Sequence, residues 1–60
     1  MASDETRRLL KLFGVAVTNL EEAIDGKAPV EKVAELDEEL ATRWREVESY
    51  LERLRSRRIA

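Results

Sequence analysis

Four arginines near the end of the chain are the residues best suited to binding a ligand. Residues 53–60 contain no acid, and their basic side chains are Arg53, Arg55, Arg57 and Arg58. Guanidinium groups bind phosphates and carboxylates, so the cluster predicts contact with a polyanion or an acidic protein surface. Arginines at a helix C-terminus also favour the helix dipole by about 0.3–1 kcal/mol each, which makes a purely structural role the simpler interpretation.

Carboxylates are the other abundant group, and they give the chain a net charge of −2. Glu31, Glu35 and Glu39 repeat every four residues, which indicates a solvated ridge or a docking face for a basic partner. Histidine and cysteine are absent, which removes the usual catalytic bases, nucleophiles and metal ligands. We therefore predict that the protein is not an enzyme, with no catalytic residue, no metal site and no cofactor.

The first half of the chain has the apolar spacing of a helix. Ser3 or Asp4 can cap its first amide groups, and we expect the helix to cover about residues 4–25. Gly14 lies inside this helix, either as a tolerated surface glycine or as a point of close helix approach. The apolar positions, which follow a 3.6-residue period, are Leu9, Leu10, Phe13, Ala16, Val17, Leu20, Ala23 and Ile24.

One interruption, over residues 25–29, separates this segment from the next. Gly26 suits a left-handed residue just past a helix end. Pro29 suits the first position of a second helix, where its missing amide proton costs nothing. A corner this short predicts two antiparallel helices, and the whole chain, residues 1–60, forms one domain.

The second helix is expected over about residues 29–57, with a nearly regular heptad pattern. Val33, Leu40, Val47 and Leu54 are spaced by seven, and Arg43 breaks the row that would otherwise join Leu36 to Tyr50. At 1.5 Å per residue this helix is about 10 Å longer than the first. We therefore expect the second helix to extend beyond the first from around Tyr50, which leaves Leu51 and Leu54 without cover from the first helix.

Two helices alone enclose little apolar surface, so the sequence predicts a partner. Each side chain in an isolated hairpin is covered on one side only, and a chain this short is near the limit of independent stability. Pairing two hairpins into a four-helix bundle encloses both apolar stripes, and a two-fold homodimer is the commonest arrangement. The residues predicted at this interface are Leu9, Phe13, Val17, Leu20, Leu40, Trp44, Val47, Tyr50, Leu51 and Leu54.

The function expected from these features is a non-catalytic interaction or assembly module that self-associates and binds a macromolecular partner. Two alternatives stay open. One is a small dimeric nucleic-acid-binding regulator that uses the basic end of the second helix. The other is a co-chaperone that packs on a larger helical protein. No segment approaches the ~20 apolar residues of a membrane span, so we expect a cytoplasmic protein without a membrane partner.

Overall fold

The chain forms an antiparallel hairpin of two helices, as the sequence predicts. The computed structural model describes the backbone of residues 3–59 and the side chains of residues 3–57. Helix α1 covers Asp4–Asp25 and helix α2 covers Val30–Ile59, with no strand in the described residues. Neither described helix has the length and apolar character needed to cross a membrane. The hairpin is 47 Å long, 19 Å wide and 12 Å deep.

The two helices meet along a single seam whose residues alternate in steps of three and four. This spacing keeps one narrow row of each helix turned toward the other. Among the residues whose side chains are described, only Ala16 and Tyr50 are buried, at 5 % and 8 % exposure, and the other seam residues are half-buried. The seam consists of Thr6, Leu9, Phe13, Ala16, Leu20 and Ala23 from α1, with Val33, Leu36, Leu40, Arg43, Val47, Tyr50 and Leu54 from α2.

The corner differs by one residue from its predicted chemistry. Gly26 has an ordinary backbone angle, φ −84°, and the left-handed residue is Lys27, with φ 56°. The amide of Lys27 donates to the carbonyl of Ile24, and the amide of Ala28 donates to that of Ala23. These two bonds define a Schellman motif with Lys27 at the position usually held by glycine. The prediction for Gly26 is therefore wrong, because the hydrogen bonds close one residue later.

Helix α2 begins one residue after the predicted start. The carbonyl of Pro29 accepts hydrogen bonds from the amides of Lys32 and Val33, at 3.0 and 3.1 Å, so Pro29 is the residue before the first helical position. At the other end the helix reaches Ile59, two residues past the predicted boundary. The N-cap of α1 is Ser3, whose side chain accepts a hydrogen bond from the amide of Thr6.

Replacing Lys27 by glycine should stabilise the hairpin. A left-handed conformation costs an L-residue about 1–2 kcal/mol, and part of that gain is lost to the greater freedom of an unfolded glycine. We expect Lys27→Gly to raise the free energy of unfolding by about 0.5–1 kcal/mol, measured by urea denaturation at fixed protein concentration. Lys27→Ala is the control, since it removes the same charge but keeps a Cβ, and an equal gain in this variant would contradict the explanation.

Gly14 is a second position where a side chain should stabilise the fold. A Cβ added at Gly14 would meet no atom within 4 Å, so this glycine does not serve a close approach between α1 and α2. Alanine is favoured over glycine inside a helix by about 1 kcal/mol. Gly14→Ala should therefore raise the thermal midpoint, followed by circular dichroism, and a fall would show that the space above Gly14 is occupied in solution.

Candidate interaction site

A cluster of hydroxyl groups joins the first turn of α1 to the far part of α2. The Tyr50 hydroxyl is hydrogen-bonded to the Thr6 hydroxyl and lies 3.3 Å from the Ser3 hydroxyl. Ser3 also caps α1 by accepting from the amide of Thr6 at 3.2 Å. Ser3 therefore caps α1 and also links it to α2. We call Ser3, Thr6 and Tyr50 the hydroxyl clasp.

Arg53 reinforces the clasp from the next turn of α2. Its guanidinium group lies 5.4 Å from the centre of the Tyr50 ring and forms a 3.1 Å ion pair with Glu5 of α1. Both partners of that ion pair are more than half exposed, so its contribution to stability is small, at most about 1 kcal/mol. The aromatic contact restricts Arg53 to the surface of the ring and gives Tyr50 further cover.

The clasp corrects the prediction that α2 loses the cover of α1 from Tyr50 onward. Tyr50 is one of the two buried residues, because Ser3 and Thr6 lie over it. Leu54, one turn later, is still half-buried, whereas Leu51 is exposed. The predicted interface role of Tyr50 stays untested, although little of its surface is left for another molecule.

Exposed apolar side chains from both helices share one face of the hairpin. The Phe13 and Trp44 rings touch across the seam, with centroids 5.7 Å apart. Nearer the corner, a groove is lined by Leu20 and Ile24 of α1 and by Val30 and Val33 on the other side. We call this surface the apolar face; its exposed members are Leu10, Val17, Ile24, Val30, Trp44 and Leu51.

The predicted interface residues divide between the seam and the apolar face. Val17, Trp44 and Leu51 are exposed on the face. The remaining predicted residues lie half-buried in the seam apart from Tyr50, namely Leu9, Phe13, Leu20, Leu40, Val47 and Leu54. Three of the most exposed apolar residues, Leu10, Ile24 and Val30, were not predicted at the interface. Their exposure depends on how far α1 and α2 are rotated, and periodicity within one helix does not determine that rotation.

A second groove, lined by charged side chains, lies on the side opposite the apolar face. At 100° per residue, Arg8 is about 200° from Leu10 on α1, and Thr42 is about 200° from Trp44 on α2. Among the described residues, the groove is lined by four arginines and one carboxylate, that of Glu46. We call it the arginine groove; its lining residues are Arg8, Leu9, Leu12, Thr42, Arg43, Arg45, Glu46, Ser49 and Arg53.

The arginines of the predicted polyanion site, near the end of α2, do not all line one groove. Arg53 lines the arginine groove and pairs with Glu5, while Arg55 pairs with Glu52 at 2.8 Å. Arg57 lines an adjoining depression, which Arg53 shares with it and which also contains the carboxylates of Glu5 and Glu52. The side chain of Arg58 lies outside the described residues. Of the three whose side chains are described, only Arg53 lines the arginine groove, so joint contact of the four with one polyanion stays a prediction.

The acidic residues do not converge on a metal site within the described part of the chain, where no group of three or more potential ligands lies together. Glu31, Glu35 and Glu39 are all exposed on α2. No protein-family model, no curated protein and no solved structure matches the chain. The features of the chain that could carry a function are therefore the apolar face, the arginine groove and the clasp.

The clasp predicts an unusual titration of Tyr50. Hydrogen bonds from Ser3, and then from Thr6, lower the pKa of Tyr50 below its usual 10.0. Burial and the Glu5 carboxylate oppose this effect without cancelling it, and Arg57 lowers the pKa slightly further. Hydroxyl donors stabilise the phenolate, so the folded state releases this proton before the unfolded state does. Between the folded pKa and 10.0, the free energy of unfolding should therefore rise with pH.

The near-ultraviolet absorbance of the phenolate measures this pKa directly, because Tyr50 is the only tyrosine in the chain. Thr6→Val removes one donor but keeps the Ser3 cap, and it should move the pKa back toward 10.0. Thr18→Val, which alters a hydroxyl bonded only to the Gly14 carbonyl, is the control and should leave the pKa unchanged. A wild-type pKa at or above 10.0 would mean that the clasp does not form in solution.

Proposed function

We propose that this protein is a non-catalytic helical-hairpin interaction module that self-associates through its apolar face and binds a macromolecular partner. The observation that carries the proposal is the run of exposed apolar side chains across both helices. Monomeric soluble proteins rarely leave a contiguous apolar surface of more than a few hundred Å² in water. A surface of this kind on so small a chain is best explained as an association face.

The apolar face has a spacing that suits a second copy. Leu10, Val17 and Ile24 are seven residues apart on α1, and Val30, Trp44 and Leu51 fall on a seven-residue row of α2 with Asp37 between. Rows of this period pack as knobs into holes between helices of a bundle. A two-fold axis would bring the same face of each hairpin together, so a single sequence satisfies both sides of the interface.

The dimensions of the hairpin also suit a second copy of the chain on the apolar face. Stable interfaces bury roughly 800 Å² on each partner. The broad side of the hairpin measures 47 by 19 Å between Cα extremes, which is large enough for such an interface. Trp44 is exposed near the middle of α2, and tryptophan is enriched among residues that contribute most to binding.

A pair of valines on opposite sides of α1 gives a sharp test. Val17 is 42 % exposed on the apolar face, and Val15 is 49 % exposed about 200° away. Val17→Glu should place a charge in the interface, whereas Val15→Glu makes the same chemical change outside it. By sedimentation equilibrium at micromolar concentration, we expect wild type and Val15→Glu at twice the chain mass of 6.9 kDa, and Val17→Glu at the chain mass.

Two results would contradict self-association through this face. One is a fully helical wild type that sediments at 6.9 kDa over the whole concentration range. The other is an equal loss of mass in Val15→Glu and Val17→Glu, which would point to a general effect of added charge. Circular dichroism of each variant separates dissociation from unfolding, because a dissociated but folded hairpin keeps its helical signal.

A further inference from the structure

We infer that the arginine groove binds the phosphate backbone of a nucleic acid without reading its sequence. The inference names a partner class for the proposed interaction module. It does not need self-association, because one hairpin supplies the whole groove. The groove differs in charge from the chain as a whole. The chain is acidic overall, yet four arginines and one glutamate of the described residues line this groove.

Two of the four arginines have their charge available to a ligand. Arg8 and Arg45 form no salt bridge with any residue of the described part of the chain, and Arg45 donates only to the Thr42 hydroxyl, at 3.3 Å. Arg43 and Arg53 are paired with Glu46 and Glu5. These pairs hold two guanidinium groups in place along the groove. The other two supply the net attraction, although Arg8 also lines a depression that contains the carboxylates of Asp4 and Glu5.

The spacing of the groove suits a phosphate chain. Arg43 and Arg53 are ten residues apart on α2, or about 15 Å at the helical rise, and Arg8 approaches from α1. Phosphates follow one another about every 3.4 Å of axial rise on one strand of duplex DNA, so the groove spans several of them. Ser49 adds a hydroxyl donor, which together with arginine is a common phosphate contact, whereas the Thr42 hydroxyl already donates to the Glu38 carbonyl.

The lining favours a phosphate backbone over two other anionic ligands, namely a single strand held by its stacked bases and an acidic amphipathic helix. No aromatic residue lines the groove, so stacked bases would find no platform there. An acidic amphipathic helix would need an apolar strip, but the groove offers only Leu9 and Leu12, which are already half-buried in the hairpin. A phosphate backbone needs charge and hydrogen-bond donors, and the groove supplies both.

A matched pair of double variants tests the site. Arg8→Gln with Arg45→Gln removes the two arginines without carboxylate partners, and Arg7→Gln with Arg55→Gln removes one arginine from each helix outside the groove. Both have the same net charge, and glutamine has nearly the helix propensity of arginine. The probe is a short fluorescent duplex DNA of mixed sequence, followed by anisotropy across a range of salt concentrations.

We expect the groove variant to bind at least about tenfold more weakly than wild type and to lose about 2 from the slope of log affinity against log salt, one for each phosphate contact. The control variant should keep the wild-type slope. A duplex of unrelated sequence should bind equally well.

Three results would overturn the inference. They are a wild-type protein that does not bind the duplex at low salt, equal losses in the two double variants, and displacement of the duplex by a polyglutamate peptide at equal charge. The last result would assign the groove to an acidic polypeptide. Sedimentation of the Val17 variants and binding by the arginine variants report on opposite faces, so either proposal can fail without the other.

Discussion

Two antiparallel helices touch along one line, and this geometric limit determines the rest of the molecule. A residue can be enclosed only where the helices approach closely or where something further covers it. Ala16 meets the first condition with a small side chain, and Tyr50 meets the second through the hydroxyl clasp. All other described apolar residues keep part of their surface in water. The hairpin therefore places much of its apolar surface where a second molecule, rather than its own core, can cover it.

The seam also divides the outside of the hairpin into two unlike surfaces. One side of each helix presents the exposed apolar side chains, and the other presents mainly polar ones with arginines in excess, although Val15 of α1 is also exposed there. The apolar sides of α1 and α2 lie on the same side of the seam, so their exposed apolar residues form one face. The arginine-rich sides likewise lie together on the opposite face. Association through one surface would leave the other facing outward. The two proposed interactions are thus compatible in a single assembly, which a hairpin with mixed flanks would not allow.

Periodicity within each helix predicted the two helices and most apolar seam positions, and the short corner predicted their antiparallel order, because those properties depend on local sequence. Contacts that depend on the register and rotation of one helix against the other could not be predicted from the spacing within either helix. The clasp required the register between Ser3 and Tyr50, which are 47 residues apart. The arginine groove required the rotation that brings Arg8 of α1 to the same groove as Arg43, Arg45 and Arg53 of α2. At the corner, residue preference favoured Gly26, but closure of the hydrogen bonds placed the left-handed angle on Lys27.

The antiparallel order has a mechanical consequence. Residue 3 and the last turns of α2 lie at the same end of the hairpin, with the corner at the other end. Tension applied between these points would open the seam one turn at a time, like a zipper, instead of sliding the helices past each other under shear. The clasp is the first contact to bear that load. Resistance to pulling would therefore depend on Ser3, Thr6 and Tyr50 before Leu9 and the seam residues nearer the corner, and the Lys27 corner would be the last part to separate.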